Sequence, residues 1–466
     1  MGGKLARLLA GRDMQVLAKH ASTVFVGQIA VMGFGVVDTI VAGRHAEASL
    51  AALSVGSAIF VTVYVSLMGL LQALMPIWSE MHGARRHADI GASLRQSLYI
   101  CLAATLLGWA VLFNPAPILR WTEVPEQLQP LVKSYLAIIG WSLPAALLFR
   151  IFSTLSQSLG KPKMVTALQA LSLLIKLPLS IWLTFGGLGL APMGVVGCAW
   201  ATFCVNFLLC GLGWWLLRSQ PVYAPAAIWR PLERPHWPTL AQFSLLGVPA
   251  SLSILVEITS FTLMALYVAR MGTASSAAHQ IAANVTALMY MVPLSLAIAT
   301  SARASYWRGA GDEARARSVA FLGLFSAMGL AALLAALVWL TKSWIVPVYT
   351  QTPEVAAIAL ALLAWVSLYH LADASQTVSI FVLRSYRITV APLLVYCSLL
   401  WGVGLWGGFQ LAYHGLAGRP AMGSPIAFWM CAAYALVLAA ACFVLLLHRV
   451  TRNAVRQSIL SRQHYP

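Results

Sequence analysis

Acid is scarce in this chain: 13 Asp and Glu among 466 residues, with only 9% of residues charged in either sense. A water-soluble domain carries about 25% charged residues, so the composition excludes an aqueous fold. With 60% hydrophobic residues and a mean hydropathy of +0.81, it is the composition of a chain that crosses a bilayer many times. Metal and disulfide chemistry are equally thin. The seven cysteines are odd in number, fall within apolar runs and form no CxxC or His-paired spacing, so they read as small buried hydrophobes, with no disulfide or structural metal framework. A GxxxxGK[ST] motif is missing, which argues against ATP as the direct driver. So are DDxxD, HExxH and GxSxG, which argues against an intramembrane enzyme.

Positive charge, by contrast, is plentiful, at a net +17. The Lys and Arg lie in short clusters between apolar runs and not on one face, so they speak for membrane orientation and against nucleic acid. A window of about 20 apolar residues crosses a ~30 Å hydrocarbon core. It predicts twelve spans, from Met14–Gly43 at the start, through Leu131–Leu155, Ala320–Leu340 and Val355–Leu383, to Ile426–His448 at the end. The first is too long for a signal-peptide core and is expected to stay as a helix. Of 30 Lys and Arg, 22 fall on the side that holds both termini, so both termini are expected in the cytoplasm.

The longest polar interruption, Arg218–Pro238, is rich in proline and charge and reads as a linker between two six-helix halves, residues 1–228 and 229–466. The halves match weakly at an offset of 226 residues: Ala42-Gly43-Arg44 meets Val268-Ala269-Arg270, and Gly83-Ala84 meets Gly309-Ala310. Six helices per half make this a parallel repeat about an axis along the membrane normal. The expected fold is therefore all-α and integral to the membrane, with twelve transmembrane helices in two lobes related by pseudo-two-fold symmetry around a shared cavity.

Three acids, Asp38, Glu257 and Asp373, sit inside the predicted spans. A charge at bilayer depth costs about 2.5–3.5 kcal/mol on insertion scales, and such residues usually face a bundle interior and work there. The offset maps them to Met264, Val31 and Leu147, so each acid is private to one half. Tyr369, His370, Gln376 and Thr377 stand three or four residues from Asp373 and share its helix face. A desolvated carboxyl can carry a proton, and a pair of them can offer hard oxygens to a transient sodium ion, here Glu257 with Asp373. On the eighth span, Gln280, Asn284 and Tyr290 are candidate helpers, Tyr290 either holding a cation over its ring or packing as an aromatic. Phe261 and Met264 are candidates for a soft lining that accepts large apolar cations. Lys176, near mid-span, is a plausible partner for Asp38, which would make Asp38 a conformational latch.

The segments VDTIVAGR (Val37–Arg44), PASLSILVE (Pro249–Glu257), SSAAHQIAAN (Ser275–Asn284) and LADASQTVSIFVLRSYR (Leu371–Arg387) resemble the multidrug and toxic compound extrusion (MATE) family, in its NorM-like bacterial branch. The resemblance runs over the whole chain. It implies a secondary antiporter of the bacterial inner membrane that exports small organic cations and drugs by alternating access, in exchange for H+ or Na+, with no cofactor and as a monomer. By motif position Asp38, Glu257 and Asp373 match the family's acids on the first, seventh and tenth helices, the last two being those associated with ion coupling. The fifth span departs from the pattern, with Lys176 and Ser180 around Pro178 in place of two asparagines, and Ser385 replaces a glycine. That places the expected coupling in the C-terminal half. The alternative is a lipid-carrier flippase of the same superfamily, which would use Arg150 and Lys176 as cavity cations for an anionic substrate.

Overall fold

The computed structural model describes residues 2–122, 124–187, 189–415, 418 and 420–463. Among these, twelve helices are long and apolar enough to cross a membrane. In chain order they are α1 (Gly2–His45), α2 (Glu47–Gly83), α3 (His87–Leu112), α4 (Gln129–Ser158), α5 (Pro162–Phe185), α6 (Val195–Ser219), α7 (Trp237–Ala269), α8 (Thr273–Gly309), α9 (Glu313–Tyr349), α10 (Pro353–Ser385), α11 (Val390–Tyr413) and α12 (Ile426–Gln463). Helices are the required solution, because within hydrocarbon every backbone N–H and C=O must be paired inside its own segment. Each overlaps its predicted span, yet several run well past it: α9 outreaches Ala320–Leu340 at both ends and α12 continues beyond His448. Apolar windows mark bilayer depth, whereas helical hydrogen bonding carries on into the interface and water. Leu340, Trp344 and Val348 on α9 are 71–84% exposed, as suits a surface that meets lipid.

Packing divides the chain into two compact units, Thr23–Ser251, and Leu252–Pro466 together with Met1–Ser22. The exchange points thus fall inside α1 and α7, not at the 228/229 boundary read from the linker. The reason is visible in the linker's bonds. Arg95 of α3 donates from Nη1 to the Ala227 carbonyl (2.9 Å) and pairs through Nη2 with Glu233 (2.5 Å). Gln96 donates to the Arg234 carbonyl (3.0 Å) and accepts from the His236 amide (2.8 Å), while Tyr99 donates to the Glu233 carbonyl (2.7 Å). Residues beyond 228 are therefore held to the first bundle.

Each unit has one helix at its centre. In the first, α4 packs against α2, α3 and α6 and buries 20 of its 30 residues. In the second, α10 packs against α8, α9 and α12 and buries 22 of its 33. These two helices correspond at the 226-residue offset, so the duplicated scaffold is built around duplicated axes. Close approach depends on small residues. At Gly197 of α6 an added Cβ would stand 2.5–2.6 Å from the Leu183 carbonyl carbon and oxygen and the Thr184 nitrogen of α5, which are backbone atoms that cannot rotate away. The cysteines divide: Cys101, Cys198 and Cys431 are buried as expected, whereas Cys204 and Cys442 are exposed and Cys210 and Cys397 half-buried. An apolar run in a spanning helix has a lipid face as well as a protein face, and composition alone does not separate them.

The α5–α6 contact predicts that Gly197→Leu lowers stability by about 1–3 kcal/mol through overpacking. The expected result is a lower thermal unfolding midpoint of the detergent-solubilised protein, with Gly211→Leu, where the added Cβ meets open space, as the unaffected control.

Candidate functional site

The three intramembrane acids meet different surroundings. Asp38 of α1 is 7% exposed and Lys176 of α5 fully buried, with Lys176 Nζ 2.9 Å from Asp38 Oδ1. Lys176 also donates to Thr202 Oγ1 (2.6 Å), Ser180 donates to Asp38 Oδ1 (3.3 Å), and the ammonium lies 5.6 Å from the Phe34 ring centroid. Lys176 and Ser180, on either side of Pro178, thus both bind Asp38. The pair is a closed ion bridge, as the sequence suggested. The other in-span cation, Arg150, is only 8% exposed, with no hydrogen-bond partner for its Nε among the described residues, so it is buried near Tyr64 and does not snorkel to the interface.

Glu257 and Asp373 belong to one group in the second unit. Asp373 is 2% exposed and accepts from Gln376 Nε2 (2.9 Å), which also reaches Thr377 Oγ1 (3.2 Å). Tyr396 of α11 donates to Gln376 Oε1, extending the chain to a second helix. Glu257 of α7 lies within electrostatic reach of Asp373 and of Arg384. Hydrogen bonds therefore join α10 and α11 through side chains that offer hydroxyl, amide and carboxylate oxygens, with Glu257 of α7 in electrostatic reach.

Several predicted residues take other places. Gln280 and Asn284 lie on an exposed face of α8, bonded to each other (3.4 Å), with neither bonded to the acids. His370 is fully buried, with both ring nitrogens lacking a hydrogen-bond partner among the described residues. Phe261, Met264 and Tyr369 do come together, lining an apolar pocket with Leu400, Gly404 and Phe428. Phe261, Tyr369 and Trp429 meet edge to face at 5.8–6.2 Å, and Trp429 donates to His279 Nδ1 (3.1 Å). One wall of the pocket is formed by α11 where it widens into a π-helix over Cys397–Trp406, a feature often found at functional sites.

Residue-level reading missed three things. Tyr396 stood unmarked in an apolar run. Arg384 was placed with the loop cations because the apolar window ends at Leu383, whereas α10 continues through Ser385 and Arg384 is 4% exposed. Asp13, at the start of α1, is clasped by Arg303 (2.8 Å) and Arg315 (2.9 Å), and both guanidiniums lie against the Trp307 ring, at 4.8 and 3.7 Å. A lone acid amid basic residues was the available signal.

The family model described as MatE matches this chain twice, over residues 24–182 and 249–408, the second copy displaced from the first by 225–226 residues. The chain belongs to the MatE family. The displacement agrees with the offset of the internal repeat, so the duplication is a property of the family's own unit. Among relatives, the "Probable multidrug resistance protein NorM" of Aromatoleum aromaticum is 34% identical over 447 residues, covering 96% of this chain and 95% of that protein. The "Multidrug resistance protein MdtK" of Yersinia pseudotuberculosis is 30% identical over 419 residues, covering 90% and 91%. The fold is that of solved MATE transporters. The bent form of Vibrio cholerae VcmN gives a TM-score of 0.83 at 17% identity, with 96% and 99% of the two chains covered. The eukaryotic AtDTX14 gives 0.82 at 16% identity, with 97% and 100% covered.

The Asp38–Lys176 bridge makes a prediction of its own. Breaking a buried pair by removing one partner leaves an uncompensated charge and costs about 3–5 kcal/mol, whereas removing both together costs much less. Lys176→Met alone should lower the unfolding midpoint of the purified protein sharply, and Asp38→Asn/Lys176→Met should recover most of the loss. Equal losses in the single and the double variant would show that the bridge is not what Lys176 contributes.

Proposed function

We propose that this MatE-family chain is a multidrug exporter of the bacterial inner membrane, a secondary antiporter that moves amphipathic organic cations outward in exchange for H+ or Na+. The observation that carries the reading is the buried carboxylate of Asp373, hydrogen-bonded with Gln376, Thr377 and Tyr396, and half-buried Glu257 within its electrostatic reach. Two carboxylates at bilayer depth are expensive unless occupancy by a proton or a sodium ion offsets their charge. Occupancy then alters which packing of the surrounding helices is favoured, and this is the differential interaction that alternating access needs. The names carried by relatives, multidrug resistance proteins, support the cargo class.

The pocket lined by Phe261, Met264 and Tyr369 supports an apolar, aromatic cargo: its walls are thioether and ring, which adapt to shape without demanding hydrogen bonds. In this reading both termini are cytoplasmic, no nucleotide or cofactor takes part, and a monomer is the working unit. A flippase for an anionic lipid carrier would draw on Arg150 and Lys176 as cavity cations; Lys176 is neutralised by Asp38, which leaves Arg150, buried at 8% exposure, as the one cation of the two without a carboxylate bridge among the described residues.

In everted membrane vesicles, Glu257→Gln and Asp373→Asn should each reduce ion-driven uptake of a fluorescent cationic dye to near background, with normal amounts of protein in the membrane. Separately imposed pH and sodium gradients on the wild-type protein in proteoliposomes identify the coupling ion. Dye uptake by both variants at wild-type rate and with wild-type gradient dependence would overturn the assignment of these acids.

A further inference from the structure

Arg384 is a permanent cation buried at 4% exposure in the interior that holds the two acids. Its Nε and Nη1 have no hydrogen-bond partner among the described residues, and its guanidinium carbon lies 4.6 Å from the Phe381 ring centroid. A guanidinium does not give up its proton in a protein, so its charge must be answered by an anion. The titratable groups within its electrostatic reach are Tyr396 from α11, Tyr290 from α8 and Glu257 from α7. Asp373 is linked to Tyr396 through Gln376. The remaining helices packed on α10 supply no unpaired acid: α12 carries His448 and arginines but no Asp or Glu, and the one acid of α9, Glu313, is paired with Arg308 (3.2 Å). The position of Arg384 is held firmly, because Arg308 donates to the Ser385 carbonyl and the Ser385 hydroxyl bonds that of Ser301 on α8 (3.1 Å).

We propose that Arg384 is a positioning residue for coupling, the fixed counter-charge that stabilises ionised Glu257 once its proton or sodium ion departs to water, and so promotes release. This rests on the antiport reading above. A bound proton or Na+ neutralises Glu257 and leaves the guanidinium to the Phe381 face and the tyrosine oxygens. Departure of the ion restores a carboxylate that the guanidinium attracts. The ion is therefore held against a standing competitor, and it does not become trapped in a site made only of acids.

The sign of the test follows. Without the cation, Glu257 keeps its proton to higher pH and holds sodium more tightly. In proteoliposomes assayed with ethidium, Arg384→Gln should raise the pH of half-maximal ion-driven dye transport by about one unit or more, or lower the half-saturating sodium concentration by roughly tenfold if sodium is the driver. Arg384→Lys keeps the charge and should return most of the shift. Should Arg384→Gln yield too little folded protein, Arg384→Met, which fills the same volume without a polar group, takes its place with the same expected shift. A purely structural role would scale activity down equally at every pH and sodium concentration. Profiles identical to wild type in the Gln or Met variant, or a Lys variant that behaves like Gln, would overturn the proposal. Failure of the wild-type protein itself to show ion-driven uptake would instead overturn the antiport reading.

Discussion

Charge taken to bilayer depth has to be compensated inside the protein, and this chain meets that demand in two different ways. In the first unit the answer is permanent: the Asp38 carboxylate is bridged to Lys176 at 2.9 Å and further held by Ser180. In the second, Glu257 and Asp373 share an interior with a single cation, Arg384, that hydrogen-bonds to neither through its Nε or Nη1. A closed pair of opposite charges resists change, since opening it exposes two unpaired charges at once. Two acids with one cation near Glu257 leave a deficit of positive charge. The antiport reading places coupling there, where compensation is incomplete.

The scaffold is duplicated and the charges are not. α4 and α10 occupy the same place in their bundles, are buried to a similar degree and correspond at the repeat offset. Their polar content differs. The second half of α4 carries Arg150 with hydroxyls and an amide, Ser153, Thr154, Ser156, Gln157 and Ser158, whereas at the same offset α10 has Gln376 in the place of Arg150 and Arg384 in the place of Ser158, with Asp373 in the place of Leu147. Duplication supplies two similar bundles, and divergence at a few positions gives each its own set of charges.

Much of this was legible in the sequence because hydrocarbon is a severe solvent. Twelve apolar runs had to be helices, and the cost of burying an acid singled out Asp38, Glu257 and Asp373 before any contact was known. Pairing of Lys176 with Asp38 followed from mid-span depth alone. What escaped lies at the edges of such rules. Arg384 falls one residue past an apolar window, so a threshold on hydropathy assigned it to water, although helix α10 carries it inward and Ser385 is anchored to α8. Tyr396 looks apolar to any hydropathy scale, and only the facing helix shows that its hydroxyl bonds Gln376. Gln280 and Asn284 share a span with Tyr290, but their face of α8 is set by packing, and they bond each other on an exposed side. The π-helical stretch of α11 has no proline or charge to announce it.

The apolar pocket and the acid group are not independent features, because they are written on the same helix faces. Phe261 and Met264 follow Glu257 by four and seven residues on α7, and Tyr369 precedes Asp373 by four on α10, so each pair lies on one stripe of its helix. A rotation or shift of α7 or α10 that alters the acids must carry the ring and thioether walls with it. The π-helical segment of α11 borders the pocket through Leu400 and Gly404, and Tyr396, on the preceding turn of the same helix, closes the relay to Asp373. Three helices thus carry the acid group and the apolar pocket in fixed register. Under the antiport reading, a change at the acids reaches the pocket walls through the helices themselves, with no separate signalling path between them.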